Sequence, residues 1–421
     1  MSEEIRIRDL ASPELTELQL GALAYADTLD IDLSSPGILA EAQRETGLAD
    51  FGPPGFLQRL DLLCDEWNDD AGLTNLGRLS LRNKLLQHAR SRLLIHDVLS
   101  RHPEIHEVEI TAPLIVAGLP RSGTTHLLNL MAADSRLRAL PLWESYEPVP
   151  RPGEQAGSDG VDPRYQRCAD QWQMMQSMTP LLAAMHPMNP DHIHEELELM
   201  GPDFASYNYE WLSVSPRWRD HYYASDQTPH YEYLKTVLKI LTWQDGDHSG
   251  SATRWVLKCP QHLEQLGVLQ RVFPDATVAI THRDPVSVIQ SAITMLGYGQ
   301  RINRKQVGLD GLASYWSDRV LHLLEACVND RHLWSPRQSI DVLFHEFMAD
   351  DLAMVEQIYA RAGLEMTAVA RRQLQGFLDA HPRGRDGRVV YDLRGDFGVD
   401  PAQLRTRFSF YFERFPVRAE V

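Results

Sequence analysis

The sequence predicts an α/β protein in which helices flank a parallel sheet and a helical region precedes the sheet. The apolar run Leu114–Gly118 leads through a glycine-containing turn into a helical pattern, and the apolar run Ala276–His282 leads into a helix that begins at Pro285. Strands that alternate with helices favour a parallel sheet. The N-terminal quarter of the chain shows helix-start signals and amphipathic spacing instead, which predicts the helical region.

Residues 1–103 are predicted to form this helical N-terminal region. A long amphipathic run extends from Leu73 to Leu99 and ends near Pro103. Proline close to the first helical position marks three earlier helix starts, at Ser12-Pro13, Ser35-Pro36 and Pro53-Pro54. Apolar stripes of this kind usually belong to a packed core. The region is also suited to line a binding site or to form the face of a homodimer, and the sequence does not choose between these two roles.

Residues 104–421 are predicted to form one α/β domain with a helical insertion at about 150–250. The insertion is expected to shape a ligand pocket. Its segment Leu181–Met188 is apolar, and Tyr207, Tyr209 and Trp211 add aromatic surface. Core packing is the simpler interpretation of these residues. If some of them face a cavity, the ligand is lipophilic or aromatic.

Composition restricts the partners of the protein. The chain has 421 residues with 41 Lys and Arg against 58 Asp and Glu, a formal net charge of −17, which disfavours nucleic acid and anionic membranes. The four cysteines lack metal-site or disulfide spacing, which favours a reducing compartment. The start of the sequence lacks the pattern of a signal peptide, and no uncharged stretch approaches the ~20 residues of a membrane span. The predicted location is the cytoplasm.

The segment Gly118-Leu-Pro-Arg-Ser-Gly-Thr-Thr125 has the spacing of a phosphate-binding loop between a strand and a helix. In such a loop, backbone N–H groups and the helix N-terminus converge on an anion. Thr124 stands where a nucleoside triphosphate loop carries its lysine, and the cation within the loop is Arg121. We therefore expect an anion other than the triphosphate of ATP.

This octet resembles the 5′-phosphosulfate loop of sulfotransferases that use 3′-phosphoadenosine 5′-phosphosulfate (PAPS). The resemblance implies a P-loop-like fold, PAPS as the cosubstrate and no metal ion. It also implies which residues hold the phosphosulfate, namely Arg121, Ser122, Gly123, Thr124 and Thr125.

The same family binds the 3′-phosphate through an arginine that follows a later strand and a serine on the next helix. Arg283 and Ser291 match those positions, and Asp284-Pro285 supplies the helix start between them. A Gly/Arg loop near the C-terminus, within residues 381–388, resembles the last 3′-phosphate contact of the family. The contact residues that the resemblance implies in this loop are Arg383, Gly384 and Arg385.

A short apolar strand around Trp255–Leu257 ends at Lys258. In the family, a lysine at the end of the strand before the 3′-phosphate strand contacts the bridging oxygen of the phosphosulfate. Lys258 precedes Arg283 in the matching order. The resemblance implies that Lys258, together with Arg121, stabilises the charge that builds on the leaving phosphate.

The catalytic base is open among three candidates. Glu144 follows the phosphate loop and resembles in position the glutamate that tyrosylprotein and carbohydrate sulfotransferases use, so it is the first choice. His194 is the second. His262 is the third. It follows Lys258 by four residues, whereas in the cytosolic sulfotransferases the histidine follows the matching lysine by two.

His194 belongs to the cluster Asp191-His-Ile-His-Glu-Glu-Leu-Glu198. The cluster is predicted to be a helix start with Asp191 as its N-cap and acidic residues in the first turn. His194 and Glu195 are candidates to lie near the acceptor. A metal site is not favoured, because no second pair of ligands at suitable spacing accompanies the two histidines.

The predicted function is transfer of the sulfuryl group of PAPS to a hydroxyl group of a small acceptor, which is lipophilic if some of the apolar and aromatic residues of the insertion face a cavity. Two alternatives remain. A P-loop kinase would require Mg²⁺ and ATP, for which a loop without its lysine is poorly suited. A non-catalytic protein would bind adenosine 3′,5′-bisphosphate and transfer nothing.

Overall fold

A computed structural model describes residues 4–157, 160–246, 254–385 and 387–421. The strands in these ranges form two sheets. One is a central five-stranded sheet, and the other is a two-stranded sheet that joins the N-terminal segment to a C-terminal one. The strands are β1 (Glu4–Ile5), β2 (Leu114–Gly118), β3 (Leu137–Arg138), β4 (Arg254–Cys259), β5 (Thr277–His282), β6 (Ser339–Leu343) and β7 (Arg388–Val389).

Helices make up most of the remaining described chain, and none of those described is long and apolar enough to cross a membrane. Short 3-10 turns lie at Pro54–Phe56, Pro103–Glu107, Gly201–Asp203, Pro260–Glu264 and Arg331–Leu333. The α-helices are α1 (Glu17–Ala26), α2 (Ser35–Thr46), α3 (Leu57–Asp69), α4 (Asn75–Arg101), α5 (Thr124–Ala132), α6 (Leu142–Tyr146), α7 (Pro163–Met178), α8 (Leu182–Met185), α9 (Leu197–Met200), α10 (Asn208–Leu212), α11 (Pro216–Ala224), α12 (Thr228–Asp245), α13 (Leu266–Val272), α14 (Pro285–Gly299), α15 (Leu309–Asp330), α16 (Phe344–Phe347), α17 (Asp351–Ala362), α18 (Ala368–Ala380), α19 (Leu393–Phe397), α20 (Pro401–Thr406) and α21 (Ser409–Arg414).

The central sheet is parallel throughout and has the strand order β3-β4-β2-β5-β6. Its three middle strands are buried on both faces, which explains why their sequences are continuously apolar rather than alternating. In the register of the sheet, Val116 lies beside Lys258 and Gly118 lies beside Thr281. The predicted parallel sheet flanked by helices is confirmed.

The predicted helical N-terminal region contains α1 to α4, and the first helix begins later than expected. Thr16, not Ser12, is its N-cap. The Thr16 side chain accepts a hydrogen bond from the Gln19 backbone, and the Gln19 side chain accepts one from the Thr16 backbone at 2.8 Å. Because this capping box satisfies two N–H groups at once, it outweighs the Ser-Pro signal upstream.

The N-terminal helices and the insertion share one apolar cluster. Trp67 of α3 and Leu85 of α4 pack in it together with Phe204, Tyr209 and Trp218. Apolar packing therefore crosses the predicted division at residue 103, and the division into a helical region and an α/β domain stays a prediction.

Gly118 ends β2 beside Thr281 of β5. A Cβ atom at Gly118 would lie 1.9 Å from Thr281 Oγ1, and this hydroxyl also contacts Ser122 Oγ at 2.7 Å. We expect Gly118→Ala to lower the free energy of unfolding by about 1–3 kcal/mol through overpacking. Urea denaturation measures the difference. The matched control is Gly376→Ala in α18, where an added methyl group meets open space and should be neutral or stabilise by up to about 1 kcal/mol. Equal stability of the two variants would contradict this packing.

Candidate active site

The phosphate loop, residues 118–125, lies between two cations at the carboxyl edge of the sheet. The loop follows β2, the central strand. Lys258 lies on β4, on one side of β2, and Arg283 follows β5, on the other side. Open α/β sheets bind ligands at this edge. The strand order therefore brings together three fragments that are far apart in the sequence.

The backbone of the loop turns sharply into α5. Arg121 has a φ of 66° and Gly123 a φ of 86°, both in the left-handed region. Ser122 Oγ stabilises the turn by donating to the Leu119 carbonyl at 2.6 Å. Since α5 begins at Thr124, its first N–H groups stand at the end of the loop without partners inside the helix. An anion in the loop would gain from these donors and from the helix dipole.

Lys258 connects the phosphate loop to the insertion. Its side chain is 1% exposed, and Nζ donates to Thr125 Oγ1 at 3.2 Å and forms an ion pair with Glu195. Burial raises the pKa of Glu195, and the charge of Lys258 opposes that shift. The pair places one positive and one negative group beside the end of the loop.

Glu196 fixes the end of β4. Its carboxylate accepts a hydrogen bond from the Lys258 backbone at 2.8 Å and lies 2.5 Å from His262 Nε2. The other ring nitrogen of His262 lies 2.9 Å from the Tyr231 hydroxyl. His262 thus contacts Glu196 and Tyr231, and these contacts favour a positioning role over that of a base.

Arg121 and Ser291 contact each other directly. Arg121 Nε donates to Ser291 Oγ at 3.0 Å, and Nη1 donates to the Met185 carbonyl at 2.6 Å. Ser291 Oγ donates in turn to the Tyr391 hydroxyl at 3.0 Å. Ser291 lies on the second turn of α14, and Asp284 is the N-cap of that helix. The phosphate loop and Ser291, the predicted 3′-phosphate contact, thus belong to one hydrogen-bonded group.

Arg283 presents one edge of its guanidinium group to a carboxylate. Nη1 donates to the Arg121 carbonyl at 2.6 Å, and the guanidinium lies 4.0 Å from the ring centroid of Phe344. Nε and Nη2 donate to the two carboxylate oxygens of Glu420 at 2.9 and 2.7 Å. This is the bidentate geometry in which arginine binds a carboxylate or a phosphate.

The Gly/Arg loop lies beside α5 and α17. Arg383 forms an ion pair with Asp351 at 2.6 Å. Gly384 and Arg385 line a cleft next to the phosphate loop. Asp386, which belongs to the same predicted loop, lies outside the described residues.

Glu144 lies on α6 and is paired with Arg138 of β3. The ion-pair distance is 2.8 Å, and Arg138 also pairs with Asp245 at 2.9 Å. Burial raises the pKa of Glu144, and Arg138 opposes that shift. Over the described ranges, no hydrogen bond or ion pair joins Glu144 to Lys258 or to the phosphate loop.

Three histidines of the insertion cluster near Lys258. The ring centroids of His186, His192 and His194 are 5.6 to 6.5 Å apart. Burial lowers the pKa of each ring, to about 4 for His192 and to about 3 for His194. His194 is therefore neutral at pH 7. Within the described chain, no group of histidine, cysteine and carboxylate side chains is arranged to hold a metal ion.

The prediction that a helix starts at Asp191 is wrong. The next helix, α9, begins at Leu197. Ile193, two residues after Asp191, instead forms an antiparallel bridge with Pro141. The backbone of His194 donates to the carbonyl of residue 140 at 2.8 Å as part of this pairing. Because the bridge satisfies backbone groups that a first helical turn would leave free, tertiary pairing overrides the local cap signal.

A cleft of about 790 Å³ lies beside the phosphate loop. Thr125, Asn129 and His192 are among the residues that line it, so its walls carry polar groups. Tyr207 and Tyr209, by contrast, are fully buried in the apolar clusters. The condition for a lipophilic acceptor, that some of the apolar and aromatic residues of the insertion face a cavity, is met by Ala184 and Pro187, which line the cleft, and not by these two tyrosines.

Sequence reasoning missed Tyr391 and Glu420 and gave no role to Glu196. Tyr391 and Glu420 reach the site from C-terminal segments whose path no local pattern indicates. Only a weak sequence signal pointed to a role for Glu196: it belongs to an acidic cluster, and a lysine at the end of a strand could need an acidic partner. Its partner could not be named without the fold.

Comparisons with known proteins give a consistent result. The family model described as Sulfotransferase family matches residues 113–368, more than half of the chain. A search of curated proteins finds no significant match. The crystal structure of sulfotransferase STF1 from Mycobacterium tuberculosis H37Rv is similar, with a TM-score of 0.77 and 27% identity over 90% of this chain and 100% of that chain. Sulfotransferase STF9 from Mycobacterium avium shares the fold, with a TM-score of 0.80 and 23% identity over 93% of this chain and 99% of that one. Since the matched family segment spans the phosphate loop, Lys258 and Arg283, the chain belongs to the sulfotransferase family.

Proposed function

We propose that this protein transfers the sulfuryl group of PAPS to a hydroxyl group of a small acceptor. The observation that carries the proposal is the phosphate loop flanked by Lys258 on one side and Arg283 on the other. Four buried and unpaired cysteines support a cytoplasmic location. The cleft beside Thr125 has both polar and apolar walls, Asn129 and His192 beside Ile193 and Phe377, which suits a small acceptor that carries a hydroxyl on an apolar frame.

The residues at the sheet edge fit a nucleotide that carries separate 5′ and 3′ phosphates. The loop backbone and Lys258 offer donors at one point, and Arg283 offers its bidentate edge at a second. Ser291 adds a hydroxyl that contacts Arg121 of the loop. A triphosphate would need the loop lysine that Thr124 replaces, so the same residues fit ATP poorly.

We assign Lys258 and Arg121 to charge stabilisation. Bound PAPS would supply a sulfuryl group joined to its 5′-phosphate through a bridging oxygen. As the acceptor oxygen bonds to sulfur, the bond from sulfur to the bridging oxygen breaks, and adenosine 3′,5′-bisphosphate leaves with the added negative charge. The amine of Lys258, next to Thr125, would donate to that phosphate where the charge develops.

We assign the base to Glu195 and keep Glu144 and His194, which the sequence favours, as alternatives. The Glu195 carboxylate pairs with Lys258, whose amine also contacts the loop. Glu144 pairs with Arg138 instead. The base takes the proton of the acceptor hydroxyl as the oxygen attacks sulfur, and releases it to water after transfer.

Calorimetric titration tests the nucleotide class. We expect adenosine 3′,5′-bisphosphate to bind at least tenfold more tightly than ATP, with or without Mg²⁺, because Arg283 offers a contact for its 3′-phosphate and the loop lacks the lysine that a triphosphate needs. Adenosine 5′-monophosphate serves as the matched ligand without the 3′-phosphate and should also bind more weakly. Tight binding of ATP that depends on Mg²⁺ would instead overturn the PAPS proposal and favour a phosphotransferase.

Two variants separate charge stabilisation from nucleotide binding. We expect Lys258→Met to lower kcat by roughly 10²–10³-fold with a small change in the KM for PAPS, because its amine acts on charge that develops during transfer. Arg283→Met should raise that KM roughly tenfold or more and change kcat little, because it removes a bidentate phosphate contact. Steady-state kinetics give both values, with the exposed Arg337→Met as control. Equal effects of the two variants on kcat and KM would overturn these roles.

The pH dependence of kcat/KM identifies the base. A base works deprotonated, so activity falls as the pH drops through its pKa. Burial raises the pKa of Glu195 above the ordinary value of 4.5, and the acidic limb should therefore lie above pH 4.5. A limb set by His194 would lie near pH 3. We expect Glu195→Gln to lower kcat/KM by roughly 10²–10⁴-fold and to remove the limb, with Glu144→Gln as the matched comparison. If Glu144→Gln removes the limb and Glu195→Gln keeps it, Glu144 is the base.

A further inference from the structure

The guanidinium edge that we assign to the 3′-phosphate is taken by a carboxylate of the same chain. Arg283 Nε and Nη2 donate to the two oxygens of Glu420, at 2.9 and 2.7 Å. Two parallel hydrogen bonds from arginine to one acidic group are the pattern in which arginine also binds phosphate. Glu420 thus stands where a phosphate group would stand.

The other sides of Arg283 are already occupied. Nη1 donates to the Arg121 carbonyl at 2.6 Å, and one face of the guanidinium lies 4.0 Å from the ring centroid of Phe344. The edge that faces Glu420 is therefore the one left for an anion. A phosphate and the Glu420 carboxylate cannot use the same two N–H groups at once.

The segment that carries Glu420 is anchored independently of its carboxylate. The Glu420 backbone N–H donates to Asp284 Oδ2 at 2.8 Å, and Arg405 pairs with the same oxygen at 2.9 Å. Asp284 is fully buried. The Glu420 side chain can therefore turn away from Arg283 while its backbone stays in position.

The pair between Arg283 and Glu420 is also accessible to water. The side chains are 22% and 29% exposed, and ion pairs of this exposure are weak. A dianionic phosphate makes stronger charge-assisted hydrogen bonds with arginine than a carboxylate does. The contact is thus strong enough to form when the nucleotide is absent and weak enough to be replaced when it binds.

We propose that the carboxylate of Glu420 is an internal competitor of the nucleotide 3′-phosphate for Arg283. This proposal rests on the proposed function, because it requires Arg283 to bind the 3′-phosphate. The competitor lowers the affinity for every ligand with a 3′-phosphate and speeds the release of adenosine 3′,5′-bisphosphate after transfer. Ligands without a 3′-phosphate leave the pair intact.

Calorimetry on the full chain tests the competition. Glu420→Gln keeps the size of the side chain and removes its charge. We expect this variant to bind adenosine 3′,5′-bisphosphate about two- to fivefold more tightly than the unmodified protein, the range that a weak exposed ion pair allows. Its affinity for adenosine 5′-monophosphate should not change. Stopped-flow displacement should show a dissociation rate of the bisphosphate that is lower by a similar factor.

Two controls separate competition from a general charge effect. Glu413→Gln removes one exposed negative charge of α21 and should leave both affinities unchanged. In an Arg283→Met background, Glu420→Gln should lose its effect, because no guanidinium remains to compete for. An effect that persists in that background, or the absence of any gain in the single variant, would overturn the proposal. If the unmodified protein binds both nucleotides equally well, the assignment of Arg283 to a 3′-phosphate fails instead.

Discussion

The site depends on the contacts made by the buried amine of Lys258. A charged group that is almost fully enclosed is costly unless it is paired and hydrogen-bonded. Lys258 meets this requirement with the carboxylate of Glu195 and the hydroxyl of Thr125, while Glu196 holds its backbone. Two adjacent glutamates of the insertion are thereby fixed to the edge of the sheet. The insertion is for this reason part of the site and not an addition to the surface of the fold.

The polar groups at the sheet edge are held by partners from the chain itself. Arg121 is bonded to the Met185 carbonyl, Ser291 to Tyr391, and Arg383 to Asp351. A ligand that binds here exchanges these side-chain contacts for its own, in addition to any hydrogen bonds from the N–H groups at the start of α5. The free energy of binding is then a difference between two sets of hydrogen bonds, and it is smaller than a count of new contacts suggests.

The fold and the phosphate loop could be predicted from the sequence because their signals are local. An apolar strand, a glycine turn and a helix follow one another within residues 114–132, and Asp284-Pro285 marks a helix start with its own cap. The parallel sheet follows from the alternation of such units. Lys258 and Arg283 could be assigned to the same edge, since both stand at strand ends.

The rest of the site could not be predicted because it depends on how distant segments fold back. The partner of Lys258 is decided by the path of the insertion, which brings in Glu195 and leaves Glu144 with Arg138. The cap signal at Asp191 is strong by local rules and fails because the next residues pair with the segment before α6. No local sequence pattern indicates such pairings between distant segments.

The small pair of β1 and β7 has a consequence for the order of folding. Glu4 pairs with Arg388 and Ile5 with Val389, so the segment between the Gly/Arg loop and Tyr391 is held by residues from the start of the sequence. Closing so long a loop costs entropy and forms contacts of high sequence separation, which tend to appear late. During synthesis, the sheet and its phosphate loop can form before β7 leaves the ribosome. A chain that folds while it emerges can thus complete the sheet edge before its C-terminal cover is in place.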